Sequence, residues 1–99
     1  MIRIDLRSSR GEVLESLEAD PKFDPVLLGV DREAYPILGH LDPYGDTILN
    51  RMQVRSLLEE ISRLGPEDKL VPAQFRESIV ALSERCLAHP HQFLWFIGE

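Results

Sequence analysis

"IRIDLR" spans residues 2–7. Ile2, Ile4 and Leu6 alternate with Arg3, Asp5 and Arg7. A period of two is the pleat of a β-strand, whose successive side chains point to opposite faces. The apolar set predicts one buried face. A strand of this kind needs a covering layer on its apolar side, and the rest of the chain has to supply it.

Moving outward, "SSRG" at residues 8–11 supplies turn residues, with Gly11 free to take positive φ. "EVLESLE" follows at residues 12–18. Its Glu and Leu content suits a helical turn, but the preceding turn favours a returning hairpin strand. The covering layer comes later. Val54, Leu57, Leu58, Ile61 and Leu64 lie at i, i+3, i+4, i+7 and i+10, the apolar stripe of a helix over about 51–64. Arg55, Glu59, Glu60 and Arg63 fall on its other faces, and Gly65-Pro66 ends it. Phe75, Ile79, Leu82 and Cys86 form a second stripe, widened by Val80 and Leu87. That helix should run from about Pro72 to about Ala88, because Pro90 forbids continuation.

Three further segments are assigned by composition. Asp24-Pro25 with Gly29 predicts a short helix, capped by Asp24 and stopped by the glycine. "AYPILGHLD", residues 34–42, reads as a strand of about six residues, with Pro36 at its start and Gly39 marking a bulge or a close approach. "FLWFIG", residues 93–98, is aromatic and apolar without alternation, which predicts an inner strand or one covered on both faces. The sum is an α+β domain occupying residues 1–99. One sheet of three to four strands carries two amphipathic helices packed on one face.

The chain has 99 residues, a net charge of −6 and one cysteine, Cys86. One domain of this length can bury a core without staples. A single cysteine excludes an internal disulfide, and no secretion signal or spanning run is evident, so a cytoplasmic protein is expected. The charge is uneven. Residues 11–46 hold nine acids against Lys22 and Arg32, whereas residues 47–99 hold seven acids against six bases. An acidic segment repels phosphate backbones, which argues against nucleic acid and anionic membrane and suits a basic protein surface.

"LDPYGDTILNRMQ", residues 41–53, is the densest polar stretch. As a calcium loop counted from Asp42 it fails, with Tyr44 at position 3, Thr47 at 6 and Gln53 at 12. A phosphate cradle wants more glycines, and Asp46 would repel the anion. As architecture it reads well. Asp42-Pro43-Tyr44-Gly45 has the residues of a β-turn between a strand and the best helix. Asp46, Thr47 or Asn50 could cap that helix, and Asn50 with Gln53 matches a capping box. Tyr44 in such a turn would also serve as an aromatic anchor for a partner.

Other chemistry is thinly supported. Cys86, His89 and His91 have a spacing that could supply zinc ligands, without a second cysteine pair to close the site. Cys86 lies on an apolar stripe, as a small buried hydrophobe would. Ser8 and Ser9 sit in a turn without a nucleophile elbow. No acid–base pair is singled out by spacing.

With "LDPYGDTILNRMQ" and "HPHQFLWFIGE" both placed, the chain resembles small acidic bacterial proteins that carry an Asp-Pro-Tyr-Gly-Asp-Thr segment and an aromatic C-terminal strand. The resemblance implies no activity, cofactor or site residue. In general look the chain is similar to small bacterial immunity or inhibitor proteins.

The expectation is a protein-binding module without catalysis, metal or cofactor of its own. Its partner would be another protein with a basic surface, met by Asp42, Tyr44, Asp46, Glu12, Glu15 and Glu18. Two rivals remain: a metal-dependent or acid–base enzyme using the Asp42/Asp46 loop, and a subunit that self-associates, for example as a homodimer.

Overall fold

A computed structural model describes all 99 residues, Met1–Glu99. Four strands form one antiparallel sheet in the order β2-β1-β4-β3: β1 is Ile2–Ser8, β2 Val13–Leu17, β3 Asp46–Leu49 and β4 Gln92–Gly98. Helix α2, Arg51–Arg63, and helix α3, Ala73–Ala88, pack together on one side of it. The α+β architecture with helices on one face is therefore as expected. No helix is long and apolar enough to cross a membrane.

The register shows why one face is core. Ile2 pairs with Gly98, Ile4 with Phe96 and Leu6 with Leu94, while Leu49 of β3 also pairs with Leu94. Directly paired residues share a face, so these side chains form one apolar surface. Ile2, Ile4, Leu6, Leu49, Leu94 and Phe96 are all buried against the stripes of α2 and α3. Residues 13–17 are the returning strand, set by a turn in which Gly11 takes φ 86°. Helix α2 begins at the expected box: Asn50 accepts the Gln53 N–H at 2.9 Å, and Gln53 accepts the Asn50 N–H at 2.9 Å.

Three expectations fail in instructive ways. Residues 34–42 form no strand. Pro36–Gly39 is instead one helical turn, α1, held by a side chain distant in sequence. Glu60, assigned by spacing to a polar face, is buried and accepts the Ile37 and Leu38 N–H groups at 2.9 and 3.1 Å. Those are orphan donors of a helix start, and a carboxylate is their natural acceptor. The strand lies later, at Asp46–Leu49, so neither Asp46 nor Thr47 caps α2. Residues 24–29 form hydrogen-bonded turns that Gly29 closes at φ 77°, rather than a helix. Strand β4 is an inner strand, one of the two forms expected, and its two faces differ. Leu94 and Phe96 are buried, whereas Phe93, Trp95 and Ile97 are only half-buried.

Gly39 does mark a close approach, because a Cβ there would meet the Cγ of Arg32 at 2.7 Å. The long connection from β2 to β3 is anchored by Phe23, whose ring lies 5.0 Å from that of Phe75 on α3. The α2–α3 loop is held by Arg76, which donates to the carbonyls of Leu64, Gly65, Asp68 and Val71.

Candidate functional site

The second face of the sheet carries no helix. Alternation places Arg3, Asp5 and Arg7 of β1 on it, with Phe93, Trp95 and Ile97 of β4. Asp46 and Ile48 of β3 and Ser16 and Val13 of β2 complete it. Three rows run across the strands. Arg3, Ile97 and Asp46 form the first, and Ser16, Asp5, Trp95 and Ile48 the second. Val13, Arg7 and Phe93 form the third.

Asp5 sits at the centre and is 0% exposed. Its carboxylate accepts from Arg7 at 2.7 Å, from the Ser16 hydroxyl at 2.7 Å and from Arg3 at 3.3 Å. Burial pushes its pKa up, but the Arg7, Ser16 and Arg3 contacts outweigh that and hold it below the ordinary value. A carboxylate so engaged is a fixed anion with few free lone pairs, suited to orienting arginines rather than to passing protons. Arg7 in turn lies over the Trp95 ring, with its guanidinium carbon 4.3 Å from the centroid. That stacking keeps Trp95 half-covered by its own chain.

At the β3 edge the Tyr44 turn is preorganised. Asp42 accepts the Tyr44 N–H at 2.8 Å, and the Thr47 hydroxyl accepts the Asp42 N–H at 3.1 Å. Gly98 N–H donates to the Gly45 carbonyl at 2.8 Å. A Cβ at Gly98 would collide with the Asp42-Pro43 backbone, so the turn is packed directly on the end of β4. Tyr44 projects from this rigid base 75% exposed.

The residues singled out by sequence therefore separate into two groups. Asp42, Tyr44 and Asp46 lie at the β3 edge. Glu12, Glu15 and Glu18 lie at or beside β2, three strand spacings or about 14 Å across the sheet. Glu15 points to the helix side and pairs with Arg85 at 2.6 Å. Much of the acidic run has a local explanation. Asp20, Asp24, Asp31 and Asp42 each accept a backbone N–H two or three residues on. Between β2 and β3 the only regular element is one helical turn, and aspartates satisfy the amides that no ladder reaches.

For the rival chemistries, no three His, Cys, Asp or Glu side chains gather in a geometry that could hold a metal ion. Cys86 is buried, and burial pushes its thiol up from the ordinary value, with Arg51 opposing only part of the shift. Two surface clefts exist. One of about 560 Å³ runs between α2 and α3 over Leu58 and Val80. Another of about 610 Å³ lies beside the exposed Leu27 and Leu28. Neither holds a convergent set of perturbed groups.

The sequence marks Phe93 and Trp95 as core aromatics first and as a self-pairing strand second, and it does not mark Ile97 and Ile48 as contact residues. Their signal was present in Arg3, Asp5 and Arg7, which give β1 a second face that must be shared by its neighbours. No family model, curated protein or solved structure matches this chain.

Proposed function

We propose that this chain is a cytoplasmic protein-binding module whose contact surface is the open face of the sheet, extended by the Tyr44 turn. One observation carries the reading. A central strand presents Phe93, Trp95 and Ile97 beside Ile48, 47% exposed, with no element of the chain laid over them. Aromatic groups on a rigid strand, ringed by charge, are the composition of an interface centre. The partner surface is apolar at its middle and basic opposite Asp46, whose carboxylate has no hydrogen bond or ion pair within the chain. Glu12 and Glu18 at the far edge add to the field that draws a basic surface in. An inhibitor or immunity role toward such a partner is one form of this function.

The test is affinity capture from the protein's native proteome at low and high salt. Ile48→Asp and Tyr44→Ser serve as variants that leave the core untouched. Capture of one protein that is lost with Ile48→Asp, and weakened by salt, supports the reading. Capture indifferent to both variants and to salt would sink it.

A further inference from the structure

The pattern of charge on the open face narrows the partner further. We infer that the open face is covered by a second copy of this chain, packed sheet to sheet about a two-fold axis parallel to β4. The inference rests on the reading of that face as a protein interface.

A closed homodimer of this kind uses one patch twice, so the patch must complement itself. Two identical sheet faces can meet only about an axis lying in the plane between them. With the axis parallel to the strands and over β4, β4 lies on β4 of the second copy, and each β1 lies on the opposite β3. Ile97 then meets Ile97 and Trp95 meets Trp95 at the centre. Arg3 and Asp46 occupy the same row on either side of Ile97, so each Arg3 meets the other copy's Asp46. Both ion pairs form at once.

The charges of the facing rows fit that placement, while the net −6 on each copy is a longer-range repulsion that salt screens. Arg7 is neutralised by Asp5, which leaves Arg3 as the surplus cation of β1. Its side chain is 42% exposed and reaches Glu99 only at 3.9 Å, so it has donors to spare. Asp46 is the unpaired anion of β3. An axis perpendicular to the strands would set Arg3 against Arg7 and leave Asp46 without a cation. Pairing through the β2 edge, centred on Glu15, would set Glu12 against the other copy's Glu18. Like-charge opposition disfavours both alternatives. Sheets stacked this way keep their strands within about 30° of one another, as face-to-face sheets do. The three strands that overlap span about 10 Å between outer axes and about 23 Å along seven residues. That patch is smaller than a standard interface, so the dimer is a weak one that fills only at high chain concentration.

Sedimentation equilibrium from micromolar to millimolar chain concentration tests the idea, with circular dichroism confirming the fold of each variant. The intact chain should dimerise. Ile48→Asp should weaken dimerisation about tenfold or more, because this axis sets Ile48 opposite the other copy's Asp5 and the new carboxylate would meet a carboxylate. Asp46→Lys should weaken it several-fold, by facing Arg3. Ile97→Cys, on the axis, should cross-link to its own copy through a short bis-maleimide, because the one native cysteine is buried and stacked sheets stand about 10 Å apart, too far for a direct disulfide. Val13→Cys should not, since the two copies of that position lie about 19 Å apart. A chain that stays monomeric at millimolar concentration overturns the second copy. So does a dimer indifferent to Ile48→Asp, and one indifferent to Asp46→Lys overturns this axis. If a monomeric chain still captures a different protein through Ile48, the open face remains a protein interface. If it captures nothing, that broader function falls with the dimer.

Discussion

The two faces of this sheet come from the same four strands and obey opposite rules. On the helix side, Ile2, Ile4, Leu6, Leu94 and Phe96 are buried by close packing, and each is apolar. On the open side, the one fully buried group is a carboxylate, Asp5, and its cover is two arginines from its own strand and a tryptophan stack. Packing excludes water from the first face. On the second, ion pairing and stacking keep the aromatic residues half-covered and leave an apolar surface available. A protein of this size can hold itself together with one face and meet its surroundings with the other.

Several substitutions would break or sharpen that contrast. The largest effect belongs to the helix side. Phe96→Ala should cost about 3–5 kcal/mol in urea unfolding, a large share of a small domain's stability. Trp95→Ala, its neighbour on the open face, should cost far less because the ring is only partly covered. Equal losses would mean that the faces are not distinct.

Next come the two buried carboxylates. Asp5→Asn should cost about 2–3 kcal/mol at neutral pH, since Arg3 and Arg7 lose their shared anion but remain partly hydrated. The folded pKa of Asp5 is depressed, so its contribution is fully present above the unfolded value of about 3.9. It fades as pH falls through the lower folded value. Wild type and Asp5→Asn should therefore converge in stability in acid, and a constant gap at all pH would remove the ion pairing from the account. Glu60→Gln should cost about 1–2 kcal/mol, because an amide can replace only one of the two acceptor oxygens. Hydrogen exchange should then report faster opening at Ile37 and Leu38, one of which it leaves without an acceptor.

Smallest of all for stability is Ile48→Thr, expected to fall within about 0.5 kcal/mol of wild type. The same change should weaken association. A large loss of stability there would place Ile48 in the core rather than at an interface.

The sequence carried the periodic and local features. Alternation in residues 2–7, the stripes of α2 and α3, the Asn50–Gln53 box and the Gly11 turn each depend on neighbours within one or two turns of chain. Residues 36–39 and 46–49 were misassigned for a common reason. Four residues are too few to show a period, and each segment takes its form from a distant partner. Pro36–Gly39 winds because Glu60 satisfies its first amides. Asp46–Leu49 extends because β4 offers an unpaired edge and the core accepts Leu49. Of the candidate interface, Tyr44 was legible as an exposed turn residue, while the place of Asp46 on an edge strand and the uncovered face of Trp95 and Ile97 were not.

By itself the sequence determined that there would be a sheet, that two helices would cover one side of it, and where those helices begin and end. Only the tertiary structure decided which aromatic residues stay uncovered, which acids are tied up as turn caps, and that Arg3 and Asp46 flank Ile97 in one row. Hydrogen bonding within a helix or a hairpin is written in consecutive residues. The order of strands, and so the neighbours across a face, is set by long-range pairing that no short stretch of chain contains.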